Sequence, residues 1–154
     1  MLIEHKSSPD PLVALQLHRY MGRIWEKLHR DEATQPFANI LPLAVYHGPR
    51  KWTVPTDFKS VLADVPGVMQ PYQVDFEYLL VDLNEIADDE MSKDPRLASF
   101  LLALKYGRHS DTEKHLVIIL SPMDRLSQVD FFKLMTYILE VSTAACHRSR
   151  LWRC

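Results

Sequence analysis

Asn39-Ile40-Leu41-Pro42-Leu43-Ala44-Val45-Tyr46-His47-Gly48 is the stretch that decides the fold class. Apolar residues run almost continuously from Ile40 to Tyr46, the pattern of a strand covered on both faces. Pro42 lies near the start of the run, where a missing N–H is tolerated, and Gly48-Pro49 stops it. Working back toward the N-terminus, residues 2–6 read as a strand ended by Ser7-Ser8-Pro9-Asp10-Pro11. Asp10 is placed to cap a helix, with Pro11 in its first turn. Leu12, Leu15, Tyr20, Ile24 and Leu28 follow at near-helical spacing, which predicts an amphipathic helix to about Arg30.

Working forward, a polar loop carries Trp52 and Pro55, and a short helix is expected around residues 57–63. Residues 74–83 alternate well enough for another strand. The acidic turn Asp88-Asp89-Glu90 precedes Asp94-Pro95, which opens a helix through Leu97, Phe100, Leu101 and Leu104 to Gly107. The break at residues 109–114 is polar. Residues 115–121 are β-branched and apolar, and fit either a strand or a helix. Residues 127–141 predict an amphipathic helix with Phe131, Phe132, Leu134, Met135, Ile138 and Leu139 apolar. The basic, irregular end at residues 146–154 reads as a tail. Strands that alternate with helices imply an α/β domain with a C-terminal helical extension.

Composition sets outer bounds. With 154 residues, 47% hydrophobic and 25% charged, the chain suits one globular domain with a core of its own. A net charge of −2 is not the basic footprint of an obligate nucleic-acid binder. It is compatible with a carboxylate-based nuclease whose basic residues are placed locally. Cys146 and Cys154 both lie near the C-terminal end, so no disulfide framework or zinc spacing is present, and a reducing cytoplasm is the expected compartment. No signal-peptide pattern and no run of ~18 apolar residues occurs, so no membrane partner is expected. A small-molecule cofactor is not expected either: there is no phosphate-cradling Gly-rich motif among only four glycines.

The chemistry concentrates in Glu4-His5-Lys6. Residues two apart on a strand share a face, so Glu4 and Lys6 point into one space and His5 away from it. A carboxylate there offers Mg²⁺ a hard oxygen ligand. An ammonium beside it orients or activates water and offsets phosphate charge, while the metal polarises the phosphoryl oxygen. On spacing alone, the commoner meaning of Glu-x-Lys is a solvent-facing ion pair. Gln16, Arg19, Tyr20 and Arg23 fall on or near one face of the following helix, able to brace Lys6 or meet a phosphate. The plainer alternative is a half-buried helix with solvated arginines. A small hydrolase built on His47 with Asp82 or Asp57 has little support, since no G-x-S-x-G and no nucleophilic cysteine in context is present.

These residues together resemble the Rpn (YhgA-like) family of recombination-promoting nucleases and transposases. Glu4-His5-Lys6-Ser7-Ser8, the helix with Arg19-Tyr20, Leu41-Pro42-Leu43-Ala44-Val45-Tyr46-His47-Gly48, Trp52, Val81-Asp82-Leu83-Asn84 and Asp88-Asp89-Glu90 carry the resemblance in that order, over roughly residues 2–107. The family resembles a branch of the PD-(D/E)XK nucleases. That implies part of a restriction-endonuclease-like mixed sheet with flanking helices over residues 1–107, a strand/helix extension over 108–145 and a basic tail over 146–154. It also implies Mg²⁺-dependent cleavage of DNA. By the resemblance, Glu4 is the metal ligand and Lys6 the catalytic lysine. Gln16 and Tyr20 support them in a Q-x-x-x-Y helix, and Arg19 and Arg23 contact DNA. The family places an acidic ligand on a strand before the E-x-K strand, whereas this sequence starts at the E-x-K strand itself. The expectation is therefore an N-terminally truncated fragment with Mg²⁺ held weakly and little activity. The alternative is a non-catalytic interaction or dimerisation domain, with the helix at 127–141 as the surface of a homodimer.

Overall fold

The computed structural model describes residues 1–32, 36–107, 112–121 and 126–151. It is a mixed α/β chain in two compact units. One comprises Met1–Tyr46 and Arg50–Val81, and the other comprises His47–Pro49 and the chain from Asp82 onward.

The first unit is built on a strand–helix–strand arrangement. Strand β1 (Leu2–Lys6) leads into helix α1 (Val13–Glu32), which returns the chain to strand β2 (Pro42–Tyr46). β1 and β2 pair in parallel, with Glu4 opposite Ala44 and Lys6 opposite Tyr46. A parallel pair needs a crossover of this kind because its strands cannot be joined by a tight turn. Strand β3 (Leu79–Asp82) lies beside β2, giving the order β1-β2-β3 and leaving β1 at the edge. The expected strand over residues 74–83 is thus confined to four of its ten residues, Leu79–Asp82. The segment before it pairs elsewhere, through an antiparallel bridge between Asp57 and Glu77. The expected helix around residues 57–63 is a single 3-10 turn, Lys59–Val61, held at its start by the Ser60 N–H donating to Asp57 Oδ1.

The periodicity placed α1 correctly but set its face off by one or two residues. Val13, Ala14, Leu17 and Met21 are buried, whereas Leu12 is 58% exposed and Leu15 39%. Spacing of i, i+4 and i+8 suits both sets, and only the sheet decides which faces it. Val13, Ala14 and Leu17 pack with Ala44, Tyr46, Trp52, Phe58 and Tyr78 into one core, joined by Leu2 and Leu80. Tyr46 stacks edge-on against Trp52 at 5.0 Å, and its hydroxyl donates to the Arg50 carbonyl. Burial pushes the Tyr78 phenol up to about 12.

The second unit is helical. Helix α2 (Pro95–Tyr106) is capped by Asp94, whose side chain accepts from the N–H groups of Arg96 and Leu97, with Pro95 opening the helix as expected. Residues 115–121, open between strand and helix in the sequence, belong to helix α3 (Thr112–Leu120) except for the turn residue Ser121. Helix α4 (Gln128–Leu151) starts on a reciprocal cap: the Asp130 N–H donates to Ser127 Oγ, and that hydroxyl donates to Asp130 Oδ2. It runs ten residues past the expected end at Val141. The backbone of the expected tail is therefore helical through Leu151, and residues 152–154 lie outside the described residues. Leu83, Met91, Ala98, Leu102, Ala103, Ile119, Leu134 and Ile138 are the buried apolar residues of this unit among those described. Of the expected apolar face of α4, Leu134 and Ile138 are buried, whereas Phe132 and Leu139 are exposed. Among the described residues no helix is long and apolar enough to cross a membrane.

Candidate active site

β1 alternates strictly. Leu2, Glu4 and Lys6 are half-buried, and Ile3 and His5 are exposed. Leu2 packs on the core, so the period of two carries Glu4 and Lys6 onto the same side, the side that α1 covers. Glu4 retains 20% side-chain exposure and Lys6 14%, which leaves both within reach of solvent.

Gln16, one turn into α1, faces these two residues. Its carboxamide oxygen accepts from the Lys6 ammonium at 2.5 Å, and its nitrogen donates to Glu4 Oε1 at 3.1 Å. The same nitrogen donates to the Tyr20 hydroxyl at 2.9 Å, one turn further along the helix. Chemistry fixes the orientation of this amide: the reverse would set an NH₂ against an ammonium and an oxygen against a carboxylate. The Lys6 and Glu4 charges lie 3.4 Å apart. Glu4, Lys6, Gln16 and Tyr20, expected as one cluster, are therefore brought together in one hydrogen-bonded network.

Asp10 is a member that sequence reasoning read only as a helix cap. The capping role is present, since Asp10 Oδ1 accepts from the Leu12 N–H at 2.9 Å, although regular α1 begins only at Val13. The second oxygen, Oδ2, accepts from the Lys6 ammonium at 2.8 Å. That hydrogen bond, opposed by partial burial, holds the Asp10 carboxyl below its ordinary value of 3.8. Two carboxylates and one ammonium leave the cluster one negative charge in excess. The available signal was the short Pro9-Asp10-Pro11 turn, which must place Asp10 beside the end of β1.

Arg19 and Arg23 are exposed on α1 and take no part in this network among the described residues. His18, on the same helix, lies against Phe58 at 5.1 Å and Phe76 at 6.2 Å. His47 directly follows β2. It is buried, and its Nδ1 lies 3.2 Å from the Leu104 carbonyl oxygen, which accepts from it. Asp82 Oδ1 accepts from the backbone and side chain of Asn84, a local turn rather than a partner for His47. Among the described residues no three His, Cys, Asp or Glu side chains converge into a metal site.

The sequence pattern of the family described as "Putative transposase, YhgA-like" matches residues 1–130. The chain belongs to this family. The match spans the whole network, from Glu4 to Tyr20. Among curated proteins, the chain is 27% identical over 146 residues to the recombination-promoting nuclease RpnD of Escherichia coli O157:H7, covering 90% of this chain and 54% of that protein. It is 29% identical over 111 residues to the recombination-promoting nuclease RpnA of Escherichia coli (strain K12), covering 71% of this chain and 37% of that protein. The chain thus spans about half the length, or less, of the curated relatives it matches. No solved structure matches it.

Proposed function

We propose that this YhgA-like chain is a nuclease domain that hydrolyses DNA phosphodiesters with a divalent metal, using Glu4 and Lys6. The observation that carries this reading is the Glu4–Lys6–Gln16–Tyr20 network, in which a strand carboxylate and a strand lysine are braced by one glutamine on the next helix. The names of the relatives, recombination-promoting nucleases, support the same class of reaction.

Glu4 is the proposed Mg²⁺ ligand. Mg²⁺ is commonly held by one or two carboxylates, with water and substrate phosphate completing its shell, and the net negative cluster suits a cation. A bound Mg²⁺ would polarise the scissile phosphate and acidify a water. Lys6 places positive charge where phosphate charge grows and orients the attacking water. Gln16 fixes both by bonding each at once, and Tyr20 fixes Gln16. Arg19 and Arg23, exposed on the same helix, are the proposed phosphate contacts. The direct test is incubation of the purified chain with duplex DNA and Mg²⁺ or Mn²⁺. Cleavage that is abolished by a chelator supports the reading, and intact DNA under both metals opposes it.

A second reading, self-association, rests on α4. Val129, Phe132 and Leu139 recur there at i, i+3 and i+10 and are each at least 60% exposed, which a second copy would cover. Sedimentation distinguishes a dimer that Phe132→Asp dissociates from a monomer at all concentrations.

A further inference from the structure

We infer that Asp10 is a positioning residue of this site, one that holds the Lys6 ammonium away from Glu4 and so keeps the Glu4 carboxylate available. The inference rests on the nuclease reading above and adds to it a residue outside the E-x-K strand and the Gln16–Tyr20 helix.

Two carboxylates compete for one lysine. Asp10 Oδ2 takes it at 2.8 Å, while Glu4 stays at 3.4 Å. Gln16 takes another of its protons at 2.5 Å. An ammonium has three donors, and here two of them are committed to groups other than Glu4. A lysine stem has four rotatable carbons, so its end goes where its acceptors are. With Asp10 neutral, the remaining anion beside Lys6 is Glu4, and Lys6 would close onto the group proposed to bind metal.

Asp10 is well held for this work. Its other oxygen is fixed by the Leu12 N–H, and its backbone carbonyl accepts from the Val13 N–H at 3.1 Å. Val13 and Ala14 are buried in the core, so the first turn of α1 is anchored, and with it the carboxylate. The depressed Asp10 carboxyl is consistent with an anion that keeps its partner across the neutral range.

The test uses the full chain with Mn²⁺ and duplex DNA, under single-turnover conditions. Asp10→Asn and Asp10→Ser both keep an oxygen for the Leu12 N–H and lose the charge. Both are expected to fold as the wild type, bind DNA equally and cleave about 10- to 100-fold more slowly. Asp10→Glu is expected to recover part of the loss. In a Glu4–Lys6 site that retains residual cleavage after Lys6→Ala, adding Asp10→Asn is expected to cost nothing more, because Asp10 acts through Lys6. Wild-type rates in Asp10→Asn, or an undiminished loss in the Lys6→Ala background, overturn this assignment alone. A wild-type chain that cleaves no DNA overturns the nuclease reading and this assignment with it.

Discussion

The Lys6 ammonium and the Gln16 carboxamide oxygen meet at 2.5 Å, across ten residues of sequence and between two different elements. Each element supplies what the other lacks. β1 provides charge at a fixed spacing of two, and α1 provides a neutral group with both a donor and an acceptor. Because Gln16 bonds Lys6 and Glu4 with opposite ends of one amide, it sets their separation. Gln16→Ala is expected to lower cleavage by about tenfold with little change in DNA affinity, as single-turnover rates and DNA titrations would show. Gln16→Glu should be worse, because it removes the donor to Glu4 and adds a third anion. An equal or better rate in Gln16→Glu would contradict the role given to the amide.

Among the described residues, Tyr20 joins the network through Gln16. Tyr20→Phe removes one partly buried hydrogen bond, a loss of about 1 kcal/mol. It should therefore slow cleavage less than Gln16→Ala does. Parallel kinetics on the two variants check the order.

The face of α1 is testable through stability. Leu17 is wholly buried in the core, and Leu17→Ala should cost about 2–5 kcal/mol in urea unfolding. Leu12, more than half exposed, should change stability by less than about 0.5 kcal/mol when replaced by alanine. The reverse order would mean that the helix presents its other stripe to the sheet.

Acid stability should depend on Asp88 as well as on Asp10. Burial pushes the Asp88 carboxyl up, but hydrogen bonds from Lys105 at 2.8 Å and Tyr106 at 2.9 Å outweigh it and hold it below its ordinary value. A carboxyl depressed in the folded state adds stability above its unfolded value of 3.8 and loses it as pH falls through the folded value. Thermal midpoints of the wild type should therefore fall as pH drops below about 4, and the fall should be shallower in Asp88→Asn. Equal slopes in the two proteins would show that Lys105 and Tyr106 do not favour the charged form.

Arg19 and Arg23 carry the proposed contribution of α1 to DNA affinity. Each phosphate contact contributes about 0.9 to the slope of log K against log salt. Arg19→Ala and Arg23→Ala should each reduce the slope by roughly one, leaving the cleavage rate of bound DNA unchanged. An unchanged slope would place the DNA elsewhere.

Much of this was legible in the residues, and the reasons differ by element. Leu43-Ala44-Val45-Tyr46 announced a central strand: Ala44 and Tyr46 are buried and Leu43 and Val45 half-buried, so neither face calls for a polar residue. Strand and helix periods, local and rigid, placed Glu4 with Lys6 and Gln16 with Tyr20, and the family resemblance joined the two pairs into one set. The burial of Val13 rather than Leu12 was not legible: both stripes of α1 are apolar, and the choice depends on how the helix packs on Tyr46 and Phe58. Residues 115–121 were ambiguous because β-branched apolar runs suit buried helices and strands alike, and packing beside α2 selects the helix. Asp10 was half legible. Its cap is written in Asp-Pro, but its bond to Lys6 depends on a turn whose path no periodicity specifies.

The most direct test of the account is plasmid cleavage in Mn²⁺ by three proteins purified side by side: the wild type, Glu4→Gln and Lys6→Ala. The account predicts chelator-sensitive nicking by the wild type and a loss of about 10²-fold or more in each variant, with thermal midpoints close to the wild type. Cleavage at the same rate in all three, or in none, would contradict the claim that the Glu4–Lys6 pair is a nuclease centre.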